Sequence, residues 1–428
     1  MIFPKKYAML IPVKKDIKVK FSNYFIPTLK EEPSGVDYLS QKLMLKSGMM
    51  KQVSSGLFVY LPTFMRVAEK VCKVIHEKME SVNAVPVKFP ILVAKEDLVA
   101  TNRWDAYGDE MFRLKDRNKK EYAISPTNEE YACFMAKNFI KSAKNMPFCV
   151  YQIQQKHRDE IRPRGGVMRA REFIMKDAYS FHPSTQSLDE YYIKMENAYK
   201  EIFNTFGLDF VEVLADSGAM GGKECHEFMS VCDKGEAEIA VCECGFCANM
   251  ELAPNGVCPE CGKPIAKVLQ GNEMGHIFKL KTRYSDPLNL TFINADGKPE
   301  ILQMGCYGIG VERVICSIIE QNNDARGIAF PEIVAPFAVN IITANMKDEA
   351  QVHLSEEIYH ELTALGVEVI WDDRADRLGS KLADSELIGI PYNILVGKNA
   401  TEGKAEFFAR CGEKTLLSKE EIIAKYKK

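Results

Sequence analysis

Apolar positions recur at helical spacing in LSQKLMLKSGMMKQ (39–52) and FMRVAEKVCKVIHEKME (64–80), so both stretches are expected to be helices. VPVKFPIL (85–92) holds two prolines, which demotes it to an edge strand or extended segment. Ser187-Leu188-Asp189-Glu190 has the spacing of a capping box and opens a helix with Tyr191, Met195, Ala198, Tyr199, Ile202 and Phe206 on one face. Between them the period falls to two. As a strand, residues 152–160 put Gln152, Gln154, Lys156, Arg158 and Glu160 on one face. Arg164-Gly165-Gly166 supplies a turn, and Arg169–Tyr179 returns with Arg171, Phe173, Met175 and Asp177 sharing a face.

Near residue 331 the pattern changes. VNIITA (339–344), a helix from about Ser355 to Leu365, GVEVIW (366–371), a short helix near Lys381–Ile388 and YNILVG (392–397) follow in order. Strands alternating with helices imply a small parallel α/β domain over 336–428, with FPEIVAP as its boundary. Residues 21–330 read instead as an α+β domain, an antiparallel sheet flanked by helices, preceded by a basic extension over 1–20.

The chain has 428 residues, enough for two or three domains with their own cores. Fifty-six Lys and Arg against fifty-nine Asp and Glu give a net charge of −3, which argues against a non-specific nucleic-acid binder. No run approaches the roughly 20 apolar residues that a membrane helix needs. No signal or transit pattern precedes the body, so no membrane association and a cytoplasmic location are expected, with the thirteen cysteines reduced or bound to metal.

KHRDEIRPRGGVMRAREFIMKD (156–177) carries seven basic and four acidic side chains in twenty-two positions. A solvated hairpin with cross-strand pairs would account for some of them, each pair worth a few tenths of a kcal/mol. Arginines interleaved with Phe173 fit a sharper role: guanidinium forks on phosphate, acids on a metal or amine, a ring on a base. Neither GxxxxGK[ST] nor a GxGxxG loop occurs, so such a nucleotide site must sit on a sheet.

The hairpin resembles motif 2 of the class II aminoacyl-tRNA synthetases, with Arg158-Asp159-Glu160 at its core. GCYGIGVERVICSIIEQ resembles motif 3, with Gly308, Gly310 and Arg313, and residues 64–92 resemble motif 1, with Pro90 as its proline. The likeness narrows to the bacterial form of the prolyl-tRNA synthetases through SNYFIPTLKEEP (22–33), RWDAYGDEMFRLKDR (103–117), SPTNEE (125–130), residues 151–182, GHIFKL (275–280) and DDRADRLGSKLADSELIGIP (372–391). It implies ATP with Mg2+, L-proline and tRNA(Pro) as partners, and a homodimer formed through motif 1.

By this resemblance Thr127 and Glu129 hold the secondary amine of proline, whose two N–H donors need acceptors. Capping chemistry accounts for the same stretch as a helix start, with Thr127 as cap and Glu130 closing a box. Arg158 would neutralise the α-phosphate and the attacking carboxylate. Glu160 would bind the nucleotide or its magnesium, Arg169 would join the ATP site, Phe173 would stack on adenine and Arg313 would hold the γ-phosphate. GAMGGKECHEF (218–228) resembles the glycine-rich wall of the amino-acid pocket, with Gly221, Gly222 and His226 at the substrate. Cys225 stands where the family more often has serine, and Glu312 where motif 3 usually has a small residue.

CECGFCANMELAPNGVCPEC (242–261) holds two CxxC pairs, Cys244/Cys247 and Cys258/Cys261, which read as a structural zinc ribbon in an insert over about 240–264. Cys242 is an alternative to Cys247, and metal-free thiols are the other reading. Many bacterial relatives carry a large alanyl-tRNA-hydrolysing insertion at this place, and only a few dozen residues stand here. Arg374, Arg377, Lys381 and Asp384 lie at strand and helix ends of the C-terminal domain, which resembles an anticodon-binding domain. Competing readings are a synthetase for threonine or glycine, a synthetase-like paralogue that binds tRNA or amino acid without aminoacylation, and a nucleic-acid zinc module.

Overall fold

The structure, a computed structural model, describes residues 19–215, 225–253 and 255–427. Most of the basic extension and the glycines Gly221 and Gly222 lie outside the described residues. The chain forms two compact units, one of residues 27–336 with 386–389, the other of residues 337–385 and 390–428 with the segment up to Ile26.

The larger unit is built on a nine-stranded sheet. At its centre run four antiparallel strands in the spatial order Lys267–Lys281, Gln303–Gly310, Glu172–His182 and Phe148–His157. Ala84–Pro86 adds to the edge in parallel, as the prolines of 85–92 require. Period-two reading of the hairpin holds within the strands, where Gln152 faces Asp177, Gln154 faces Met175 and Lys156 faces Phe173; Arg158, Glu160, Arg169 and Arg171 lie beyond the strand ends, in the connection between them. The helices Pro62–Ser81, Thr185–Thr205 and Val311–Gln321 bring buried Phe64, Tyr199 and Ile315 into one core, which also takes Met274 and Tyr307 from the sheet. A second core forms around Ala132, Phe181 and Tyr284, with the helix Glu129–Phe139.

Three local expectations are corrected. The helix begun at Leu39 ends at Lys46, and Met50–Ser54 is a strand, because Gly48 takes φ +68° and turns the chain before the apolar spacing runs out. The third long helix is capped by Ser184, whose side chain accepts from the Ser187 N–H. Ser187 therefore lies in the first turn, and its hydroxyl bonds the His182 ring instead. Thr127 is not a cap either: Asn128 is the N-cap of Glu129–Phe139, without a side-chain bond.

In the smaller unit, Val369–Asp372, Val339–Thr343 and Tyr392–Val396 are parallel, as alternating strands and helices predict. Lys404–Ala409 and Thr415–Ser418 then extend the sheet antiparallel, so the domain is mixed rather than wholly parallel. The helix expected from Ser355 starts six residues earlier, at Glu349, where Asp348 caps Ala350 and Gln351. Residues 19–26 belong here and not with the larger unit. Phe21 N–H donates to Trp371 O (2.8 Å), and the Ser22 hydroxyl donates to Asp373 (2.8 Å). Among the described residues no helix is long and apolar enough to cross a membrane.

Candidate active site

The charged hairpin opens onto a cavity of ≈ 330 Å³ whose wall includes Thr127, Arg158, Phe173, Asp177, Gly308 and Arg313. Glu160, Arg169 and Gly310 line it as well. Side chains that lie far apart in the chain, on a helix start, two paired strands and the head of another helix, thus converge on one space.

Beneath one end of the cavity lies a buried charge cluster. Arg103, fully enclosed, donates to Glu129 (2.6 Å) and Glu130 (2.8 Å). Its guanidinium lies over the faces of Tyr107 and Tyr284, 4.9 and 5.6 Å from the ring centres. The Thr127 hydroxyl donates to Glu129 (2.8 Å) and the Cys306 thiol approaches the same carboxylate (3.3 Å). Glu129 therefore stands behind Thr127 rather than on the cavity wall.

A second limb reaches the hairpin. Asp177 Oδ2 accepts from Gln152 (2.9 Å) and Tyr179 (2.7 Å) and pairs with Lys156 (3.2 Å), which also donates to Asn128. The cluster holds three carboxylates and two cations. Burial pushes Glu130 up toward protonation, with Arg103 opposing. Burial also lowers Lys156, against the pull of Asp177. Asp177 Oδ1 is buried and finds no partner among the described residues, although Asp177 lines the cavity. A buried carboxylate oxygen left unpaired costs on the order of 1–3 kcal/mol or more, and a ligand N–H would remove that cost.

The cavity wall also gathers donors. Arg158 sits 5.3 Å from the centre of the Phe173 ring, and its buried Nε has no partner among the described residues. Glu160 pairs with Arg169 (2.7 Å), so its carboxylate is already engaged by a cation at the cavity wall. Gly310 caps the helix Val311–Gln321, and a Cβ there would lie 2.9 Å from Arg313 Cδ; glycine lets that arginine fold back over the strand end. Arg313 is held by Glu236 (2.8 Å) and by the backbone oxygen of Glu273 (2.9 Å).

Beside it, Glu227, Glu273 and His276 bring their ligand atoms within 4.8 Å of one another. His276 Nδ1 lies 3.4 Å from each carboxylate, and its ring stacks on Phe278. Burial and the neighbouring Glu273 push Glu227 up to about 8. Glu273 falls to about 2: its own desolvation opposes this, but the His276 hydrogen bond and the charge of Arg313 outweigh it.

Glu312 is explained by the same geometry. Its buried carboxylate accepts from the Ile174 N–H (2.8 Å) and the Tyr60 hydroxyl (3.0 Å), fastening the hairpin to the helix that carries Arg313. Burial raises it to about 7. Cys225 is buried, its thiol on Ala215 O (3.1 Å). His226 bonds the Tyr192 hydroxyl (2.7 Å) and is not on the cavity wall.

Elsewhere the sulfur positions match the Cys242 alternative, and three of the four predicted C-terminal residues pair within their own domain. The sulfurs that cluster are those of Cys242, Cys244, Cys258 and Cys261; Cys247 leaves the group because it begins the strand Cys247–Asn249. In the smaller unit Lys381 is fully buried and donates to Thr343 O (2.7 Å), while Arg374 is tied to Asp372 (2.7 Å) and Asp384 (2.8 Å). These three form an internal clamp, because each charge finds its counterpart inside the domain. Arg377 alone of the four is exposed.

Residues 112–322 match the tRNA synthetase class II core domain (G, H, P, S and T), and residues 338–428 match an anticodon-binding domain. A proline–tRNA ligase of Geobacter metallireducens is 33% identical, over 95% of this chain and 98% of the relative. One from Caldicellulosiruptor bescii is 35% identical, over 91% and 94%. The chain belongs to the proline–tRNA ligases. A solved prolyl-tRNA synthetase of Cryptosporidium parvum, complexed with L-proline and AMP, shares the fold at TM-score 0.73 and 20% identity, over 90% of this chain and 73% of that one. Arg103, Asp177, Glu227, Glu273 and His276 were not singled out as site residues from the sequence. For Asp177 the signal was present, since it shares the hairpin face with Phe173.

Arg103→Leu removes the cation between two buried carboxylates and should destabilise the larger unit by about 3–5 kcal/mol. Urea unfolding of the variant beside the parent checks this.

Proposed function

We propose that the chain activates L-proline with ATP and transfers it to the 3′-terminal ribose of tRNA(Pro). The single observation that carries this reading is one cavity lined by Thr127, Asp177, Arg158, Phe173 and Arg313, in which both an acid and a base, Asp177 through Oδ1 and Arg158 through Nε, have a polar atom without a partner among the described residues. An amino acid brings an ammonium for the one and a carboxylate for the other. The two N–H donors of prolinium meet Asp177 and Thr127, with Glu129 behind Thr127 adding negative charge.

The substrate carboxylate and the α-phosphate then share Arg158. An oxygen of the carboxylate attacks the α-phosphorus, the bond to the bridging oxygen breaks, and pyrophosphate leaves with the electron pair. Phe173 offers its ring to adenine, beside Arg158. Arg169, held by Glu160, and Arg313, held by Glu236, face the leaving phosphates. The work is positioning and charge neutralisation, so no side-chain nucleophile is needed.

The residues present fit a magnesium ion: Glu227 and Glu273 supply the oxygen donors it prefers, and the elevated Glu227 gains its charge when a cation is near. When bound, the ion supplies further neutralisation of the polyphosphate. The C-terminal domain takes the anticodon of tRNA(Pro), with Arg377 the exposed contact among the predicted residues. The enzyme works as a homodimer in the cytoplasm, as expected of its family.

The alignment with the Geobacter relative runs over 557 positions, more than this chain's 428 residues, so the relative carries segments without counterpart here. This supports the reading that no editing insertion is present. A pocket that accepts proline rejects the smaller alanine only weakly. Alanyl-tRNA(Pro) should therefore persist when incubated with the purified chain, and its efficient hydrolysis would contradict this.

Amino-acid-dependent ATP–pyrophosphate exchange across proline, alanine, cysteine, threonine and glycine tests the whole reading. Exchange should be strongest with proline and fall by roughly 100-fold or more in Arg158→Ala. A folded, magnesium-supplied preparation inert with every amino acid would favour a binding paralogue instead.

A further inference from the structure

We propose that Cys242, Cys244, Cys258 and Cys261 bind one zinc ion that staples the tip of the hairpin between Ala237–Val241 and Lys267–Lys281. The site lies outside the catalytic cavity and goes beyond the reaction proposed above. Cys242 and Cys261 lie 3.5 Å apart at sulfur, Cys244 and Cys258 3.6 Å. All four sulfurs fall within 4.8 Å of one another. Tetrahedral zinc–thiolate bonds of about 2.3 Å place sulfurs about 3.8 Å apart, so the arrangement needs almost no movement to receive the ion. Disulfides, at about 2.05 Å, would need the sulfurs to close by well over an ångström.

The backbone is shaped for the same end. After Cys244 and after Cys261 the chain turns on glycines with left-handed φ, +98° at Gly245 and +71° at Gly262. Gly245 N–H donates to Cys242 O (3.1 Å), Gly262 N–H to Cys258 O (2.9 Å) and Cys258 N–H to Lys263 O (2.8 Å). Each turn closes around its own pair of cysteines and points both sulfurs inward. The segment 242–266 is joined to the sheet by Cys247–Asn249, which pairs with Ala237–Val241 and, at Ala248, with Leu214, but its own buried cluster is small. Its core is Ala240, Cys242, Phe246, Ala248, Ala253 and Cys258, of which two are ligands themselves. A lobe below about 40 residues rarely folds on such a core without a metal or a cross-link.

Four thiolates complete a tetrahedral shell and leave no position for water or substrate, so the ion is structural. What it secures is the pairing of Ala237–Val241 with Lys267–Gly271. That pair continues into Glu236, the partner of Arg313, and into Glu273 and His276. Cys247, though spaced as a CxxC partner of Cys244, is not a ligand.

Metal analysis of the full chain, purified in reductant without chelator, should find one zinc per chain. Cys247→Ser should keep it. Cys258→Ser and Cys242→Ser should each lose it and become sensitive to protease within 242–266. Cobalt(II) added to the zinc-stripped parent chain should give the visible bands of a tetrahedral thiolate centre, a readout that does not depend on any variant folding. A parent chain that neither retains zinc nor develops those bands would overturn the site. Loss of metal in Cys247→Ser with retention in Cys242→Ser would overturn the ligand set.

Discussion

Five buried charges set the terms for the larger unit. Arg103, Glu129, Glu130, Lys156 and Asp177 come from a short helix, a helix start and two paired strands, and each loses most of its water in the fold. Removing an ion from water costs several kcal/mol even after relaxation, so none of these groups tolerates a missing partner. Arg103 answers two carboxylates and Lys156 answers Asp177. With three acids to two bases, the upward push on Glu130 takes up part of the excess, and Asp177 Oδ1 is left without a partner among the described residues. In the function proposed above, the amine of the substrate is the donor that meets it.

The hairpin carries this cluster out to the cavity. Its strands set Asp177 and Phe173 on the same side, because side chains alternate and the register pairs Gln152 with Asp177 and Lys156 with Phe173. Arg158 follows one residue past the end of Phe148–His157, its N–H on Arg171 O (3.0 Å) and its guanidinium beside the Phe173 ring. Arg313 belongs to a different element, yet Glu312 beside it accepts a hydrogen bond from the hairpin backbone and holds helix and strand together. Phe173, Asp177 and Gly308 are thus positioned by one continuous sheet, while Arg158, Glu160 and Arg169 sit on the connection between the two hairpin strands.

Period and punctuation made much of this legible. Strand alternation put Arg158, Phe173 and Asp177 on one side of a hairpin, and the run of parallel strands and helices after residue 336 described most of the smaller unit. What periodicity does not encode is the partner of a buried charge. Arg103 lies twenty-six residues from Glu129, and nothing around RWDAYG announces an anchor. Lys381 and Arg374 look like surface cations until their carboxylates and carbonyls are seen inside the domain. Cys247 satisfies a spacing rule and yet points elsewhere, since strand pairing claimed its backbone. Residues 19–26 join a sheet more than three hundred residues away, a contact no local pattern carries.

The claim that buried acceptors at the cavity await a cationic N–H donor is tested most directly by comparing L-proline with L-tetrahydrofuran-2-carboxylate, in which a ring oxygen replaces the charged NH2 at nearly the same shape. Competition in the exchange reaction gives both affinities. A site that must pair buried acceptors rejects an analogue lacking the donor by roughly 10^4-fold, so this anion without an ammonium should bind at least ~100-fold more weakly than proline. Comparable affinities would show that the buried cluster is already balanced without its substrate.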